Sequence, residues 1–261
     1  MTDFIKETQN AVPGAIRLET ARMILRDHRL EDLESHHEML SDPEVMYYLP
    51  DIMTHSLEES RRDLENSVRA VTAQPRREYF LRMEEKGTGE LIGEIGYTVT
   101  EETPVGKLVH AGYFSRKRFW GRGYMSEAFA EVLRFAFEEN RVFRLTTGCD
   151  PENKGSEKVM KKCGLVKEAD MKKKVWMHGK MRDRVDTVCC VRNGKRAENG
   201  GDGVKRGNKI RDITKQNPGR TGPGHKCSVN RNNIGQNQEE KPGHGLAFLQ
   251  YLCYHKNGIL Q

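Results

Sequence analysis

The sequence predicts a mixed α/β domain, and three observations carry that prediction. Three strand-like segments follow one another between residues 78 and 115. A strongly amphipathic segment, "YMSEAFAEVLRFAFEEN" (124–140), stands directly before the strand-like "VFRLTTGCD" (142–150). Between them lies "RFWGRGYM", two glycines around one arginine at a loop-to-helix junction. The pattern is an antiparallel meander ahead of a β-α-β crossover.

In chain order, "ARMILRDH" (21–28) alternates and reads as a strand. "LEDLESHHEMLSD" (30–42) has apolar residues at helical spacing and stops before Pro43. "SLEESRRDLENSVRAV" (56–71) opens with Ser56 and Glu59, a capping-box pattern, and is a second helix. The strands "EYFLRMEE" (78–85) and "ELIGEIGYTV" (90–99) flank the turn "KGTGE", and "KLVHAGYFS" (107–115) follows. After the crossover, "NKGSEKVMKKCG" (153–164) is a helix stopped by Gly164. Residues 165–186 read as a strand, a turn at His178–Gly179, and the start of a last strand.

The 261 residues are enough for one domain with a core plus an extension. The stretch 187–261 holds about 13 Lys and Arg against about 5 Asp and Glu, and about half of the 25 glycines. The body before it is near neutral and slightly acidic. We therefore expect a domain over 1–186 and a basic, Gly- and Asn-rich, disordered tail over 187–261, since that composition buries too little apolar area to offset chain entropy. Scattered cations with almost no aromatics leave weak nucleic-acid binding by the tail as a minor expectation. No apolar run suggests a membrane span or a leader, and none of the six cysteines forms a C-x-x-C pair. A soluble, cytoplasmic protein without a metal is expected.

Glycines let backbone approach a ligand closely, and free amides at a helix N-terminus favour anions. "RFWGRGYM", with Arg116, Lys117, Arg118 and Arg122 around it, thus reads as a pyrophosphate cradle. The alternative is a tight turn with solvated charges. A dinucleotide fingerprint and a Walker loop are both excluded, for want of the acidic partner and of Gly-Lys-Ser/Thr. The run from Arg118 to Gly123 resembles the Q/R-x-x-G-x-G/A loop of the GNAT acetyltransferases. "NKGSEKVMKKCGL" from Asn153 resembles that family's second cofactor segment. "TARMILRDHRLEDLE" and "SDPEVMYYL" resemble its branch that acetylates ribosomal-protein N-termini. The resemblance covers about residues 15–186.

It implies the acyl-CoA N-acyltransferase fold, a mostly antiparallel sheet with a β-α-β cofactor-binding core. It implies acetyl-CoA as co-substrate and a primary amine, on a protein N-terminus or a small molecule such as a polyamine or aminoglycoside, as acceptor. By the same likeness, backbone from Arg118 through Phe119, Trp120, Gly121, Arg122 and Gly123 to Tyr124 holds the diphosphate. The strands around Phe114 (112–115) and 146–149 splay to admit the pantetheine. Asn153 reaches the pantetheine, or alternatively only caps its helix. Trp120 packs under the loop or touches ligand. Ser156 matches the serine that assists the leaving thiolate in the ribosomal-protein branch, or alternatively faces solvent. Glu94 is the candidate base, because a mid-sheet carboxylate needs a partner or a task, unless the strand is exposed there. Glu84 and Tyr97 are weaker candidates, and His110 reads as structural. A non-catalytic acyl-CoA-binding or ribosome-associated module is the competing reading.

Two departures stand out. The family's acidic tyrosine is replaced by Met160. The family ending D-Y-x-L-L is replaced by "DTVCCVRNG" from Asp186. Back-translated with one added T, "TVCCVRNG" permits Tyr-Arg-Leu-Leu-Arg-x-Glu-Trp, which is that ending. A single-base deletion or reading error therefore accounts for the altered end, and resequencing the gene decides it.

Overall fold

The computed structural model describes residues 14–192 and 195–196. Its centre is the expected meander: β3 (Glu78–Glu85), β4 (Leu91–Thr103) and β5 (Gly106–Ser115), each antiparallel to the next. The single strand expected at 21–28 is instead a hairpin of β1 (Arg17–Glu19) and β2 (Met23–Arg26). Its turn is closed by Thr20, whose Oγ1 accepts from the Met23 amide at 3.0 Å. With β6 (Val142–Cys149), β7 (Val166–Met177) and β8 (Lys180–Arg192), the order is β1-β2-β3-β4-β5-β6-β8-β7. Of these pairings only β5–β6 is parallel.

The helices are α1 (Leu33–Leu40), α2 (Leu57–Val71), α3 (Tyr124–Arg134) and α4 (Lys154–Lys162). Ser56 caps α2 by accepting from the Glu59 amide at 3.2 Å. A turn of 3-10 helix (Leu30–Asp32) precedes α1, and a π-helical turn (Phe135–Glu139) prolongs α3 to the length its apolar spacing predicts. Alternation along β4 divides the layers. Ile95 and Tyr97 join Phe129 and Leu133 of α3 in the main core. Glu94 turns to the other face, where α1 and α2 lie and where Met39, Leu40, Met46 and Leu91 form a second cluster.

Strand β8 crosses the boundary that composition places at residue 186. Thr187 to Cys190 pair with Thr147 to Arg144 of β6, and Thr187 and Cys189 alternate into the core. The edge of β6 needs a partner, and this alternation supplies one despite the small side chains. The short β9 (Lys195–Arg196) pairs with the end of β8. The expectations of disorder and of nucleic-acid binding for the rest of the tail lie outside the described residues. Among the described residues, no helix is long and apolar enough to cross a membrane.

Candidate active site

The parallel pairing of β5 and β6 runs from Lys107↔Val142 to His110↔Thr146 and stops there. Beyond it, β5 stays bound to β4 as far as Ser115, and β6 stays bound to β8 as far as Cys149. Each strand is held on its outer side, so the two part. Thr147 spans the apex by donating from Oγ1 to the Ala111 carbonyl at 2.9 Å. The gap presents backbone edges to which an extended ligand can add.

Just past the end of β5 lies the glycine loop. Phe119 is buried and anchors it. Trp120 does not pack beneath it: the indole is 48% exposed and donates from Nε1 to the Ser115 carbonyl at 2.8 Å. Gly121 and Gly123 both take left-handed φ, 72° and 81°, which favours glycine. Gly123 is also the N-cap of α3, with no side-chain cap, so the first amides of α3 are open to an anion.

The charge around this loop differs from the sequence expectation. Arg116 pairs with Glu38, Lys117 with Glu44 and Arg118 with Glu90, so three of the four cations are already balanced. Two other cations stand beside the loop, and one of them, Arg22, is itself paired with Glu127. A Cβ at Gly123 would lie 3.6 Å from Arg22 Nη2 and 3.8 Å from Lys162 Nζ. Arg22 is fixed by donating to the Arg122 carbonyl at 3.0 Å and to Glu127 at 2.7 Å, with its guanidinium 4.0 Å from the Tyr124 ring centre. Tyr124 donates to Glu85 at 2.6 Å, which raises the phenol and holds the Glu85 carboxyl below its usual range.

Across the gap, Asn153 Oδ1 accepts from the Ser156 amide at 3.0 Å and caps α4, the plainer of its two readings. Ser156 does not simply face solvent. Its Oγ lies 2.8 Å from the hydroxyl of Tyr113, which also donates to the Ser156 carbonyl at 3.2 Å. Burial pushes the Tyr113 phenol well up from its ordinary value. Burial likewise raises the thiol of Cys149, opposed by a hydrogen bond with Ser156. Met160 is buried in the core, where its sulfur accepts from Thr187 Oγ1.

On the opposite face, Glu94 is 1% exposed, which rules out the reading as an exposed strand residue. Its Oε2 lies 3.0 Å from Nε2 of the equally buried His28. The ring of His28 meets that of His36 edge-on, 5.3 Å between centres, and His36 Nε2 lies 2.9 Å from Asp63. Arg82, opposite Glu94 in register, sends its guanidinium to Glu84 and Ser35. His28, His36 and Glu94 each bring one ligand atom to within 4.8 Å of the others. Asp63 already holds one member of this group, His36, through Nε2.

Glu94 and Phe114 line a cavity of about 70 Å³ between the sheet, the segment 48–52 and the β7–β8 hairpin. The weaker candidates lie elsewhere. Glu84 is tied to Arg26 and Arg82, and Tyr97 accepts from Asn140 in the core. His110, at the apex of the gap, contacts Thr146 at 3.0 Å.

The sequence profile of the Acetyltransferase (GNAT) domain matches residues 22–166. The uncharacterized N-acetyltransferase YnaD of Bacillus subtilis (strain 168) is 28% identical over 164 residues, 60% of this chain and 87% of the relative. The fold is similar to that of RimL, a ribosomal L7/L12 alpha-N-protein acetyltransferase solved in complex with coenzyme A. The TM-score is 0.60 at 18% identity, over 67% of this chain and 98% of that one. A ribosomal-protein-S5-alanine acetyltransferase from Vibrio fischeri gives 0.60 at 20% identity, over 67% and 96%.

Proposed function

The chain belongs to the GNAT acetyltransferase family, and from that premise we propose that it moves an acetyl group from acetyl-CoA to a primary amine, on a protein N-terminus or a small molecule. The observation that carries this reading is the parting of β5 and β6 after His110↔Thr146, with the open N-terminus of α3 at its mouth. Acetyl-CoA supplies an activated acetyl thioester.

The chain's own groups supply the rest. Amides from Gly121 to Tyr124, with Arg22, Arg122 and Lys162, bind the diphosphate. The free edges at 111–115 and 147–149 take the pantetheine. Glu94 accepts the proton of the incoming amine, directly or through one water, and His28 holds its carboxylate in place. The Ser156–Tyr113 hydroxyl pair donates toward the departing thiolate. Asn153 acts by fixing the first turn of α4, and through it Ser156.

The test is release of free thiol from acetyl-CoA in the presence of amines, with mass spectrometry of the product. Acetylated amine supports the reading. A melting temperature raised by acetyl-CoA without turnover on any amine supports instead an acyl-CoA-binding module, the alternative that Met160 in place of an acidic tyrosine favours.

A further inference from the structure

We infer that the acceptor is a primary amine carried on a compact, uncharged, apolar body about the size of a leucine or phenylalanine side chain. This rests on the acetyl-transfer reading above and adds its substrate class. It also turns away from polyamines and aminoglycosides, which the sequence alone leaves open.

The cavity at Glu94 carries the argument. Gly112 and Tyr113 place one wall on the free edge of β5, where the acetyl group is to arrive. Phe114 extends that wall, and apolar walls come from three further segments through Leu49 and Ile52, Phe80, and Trp176. Among the described residues, the charged wall residues are Glu94, at the sheet, and Asp51, in the segment 48–52, with no Lys or Arg lining the space. A single ammonium group beside Glu94 can pass its proton to the buried carboxylate through one water. A second cation has Asp51 to pair with, and a third is stripped of water against aromatic walls with no counter-charge.

Size points the same way. A cavity of about 70 Å³ offers about five water-sized positions at roughly 10–15 Å³ each. That suits a branched aliphatic chain or one ring, not an oligosaccharide. The walls are also held ready. His178, at the tip of the β7–β8 hairpin, is 2.7 Å from the Tyr47 carbonyl through Nε2 and stacks on the Tyr47 ring at 4.5 Å. That clasp fixes the hairpin over the segment 48–52 before any substrate arrives. Trp176 stays 66% exposed beside an apolar space, a costly arrangement unless something covers it.

The experiment compares kcat/KM by thiol release across amines at one pH. The apolar arm is phenethylamine, isoamylamine and short peptides beginning with Leu or Phe. The polycationic arm is spermidine and kanamycin. We expect the apolar arm to exceed the polycationic arm by at least about tenfold, the scale on which an apolar pocket discriminates. Within the apolar arm, the better of peptide and small amine identifies the source of the group. Trp176→Ala should raise KM for the apolar amines while leaving KM for acetyl-CoA unchanged. Preference for the polycations, equal rates in both arms, or a Trp176→Ala variant with unaltered KM would each overturn the inference. If no amine reacts while acetyl-CoA still raises the melting temperature, the acceptor class is wrong and the cofactor reading stands. If acetyl-CoA gives no shift, the reading beneath both has failed.

Discussion

At the cofactor end of the cleft, the chain works with backbone and fixed charge: two glycines in left-handed conformations, an uncapped helix start, and the cations Arg22, Arg122 and Lys162. At the acceptor end it works with side chains gathered from five separate segments, and with one carboxylate buried against a histidine. A diphosphate looks the same in every CoA molecule, so a short contiguous motif can bind it. An acceptor must be told from other amines, so its pocket is assembled from surfaces that can change independently. The difference teaches where substitutions should act: on cofactor binding at one end, on chemistry and choice of amine at the other.

The largest effect is expected at Glu94. Glu94→Gln keeps the size and removes the base, so kcat should fall by roughly 10²–10⁴, the range general-base catalysis contributes. KM for acetyl-CoA should not move, and steady-state kinetics at saturating amine read both. A KM change without a kcat change would erase the division between the two ends.

Next is Gly123. A valine there is forced to φ near 81° and set against Arg22 and Lys162. We expect about 1–2 kcal/mol of destabilisation and a raised KM for acetyl-CoA, with kcat at saturation little changed. Thermal melts and kinetics report the two parts separately.

His110 sits where the gap opens and sharpens the comparison through pH. Burial, aided by Arg184, lowers its pKa from 6.5 to about 3. The folded chain therefore keeps it neutral, while the unfolded chain takes a proton below about 6.5. Stability is full above that pH and is lost as pH falls toward 3, with a slope of up to about 1.4 kcal/mol per unit. Denaturant titrations from pH 7 to pH 5 should show the loss, and His110→Gln should flatten it.

The smallest effect is at Tyr113. Tyr113→Phe removes the hydroxyl that contacts both Oγ and the carbonyl of Ser156, at about 1 kcal/mol per hydrogen bond, and should slow kcat several-fold. Ser156→Ala should match it, and the double variant should be little worse than either, because the two hydroxyls act as a pair.

The same contrast explains what could be read from sequence. The glycine loop, the Ser56 cap, the meander and the hairpin turn at His178–Gly179 are local patterns, and they lie where the sequence places them. Glu94 was readable as a carboxylate inside a strand. Its partner His28 was not, because nothing local ties residue 28 to residue 94. Arg22 reaches Glu127 across 105 residues, and Tyr113 reaches Ser156 across 43, so neither carries a local signal. The strand beyond residue 186 was hidden by a change in composition, although Thr187 and Cys189 keep the period of two. The β1–β2 hairpin was hidden because a three-residue strand is too short to show a period.

The central claim is that acetyl-CoA lies in the gap between β5 and β6 with its diphosphate at the start of α3. Hydrogen exchange of the full chain with and without acetyl-CoA tests it most directly. The account predicts new protection at amides 121–126, 111–115 and 147–149, with little change in α2. Saturable binding without protection in those three segments would contradict it.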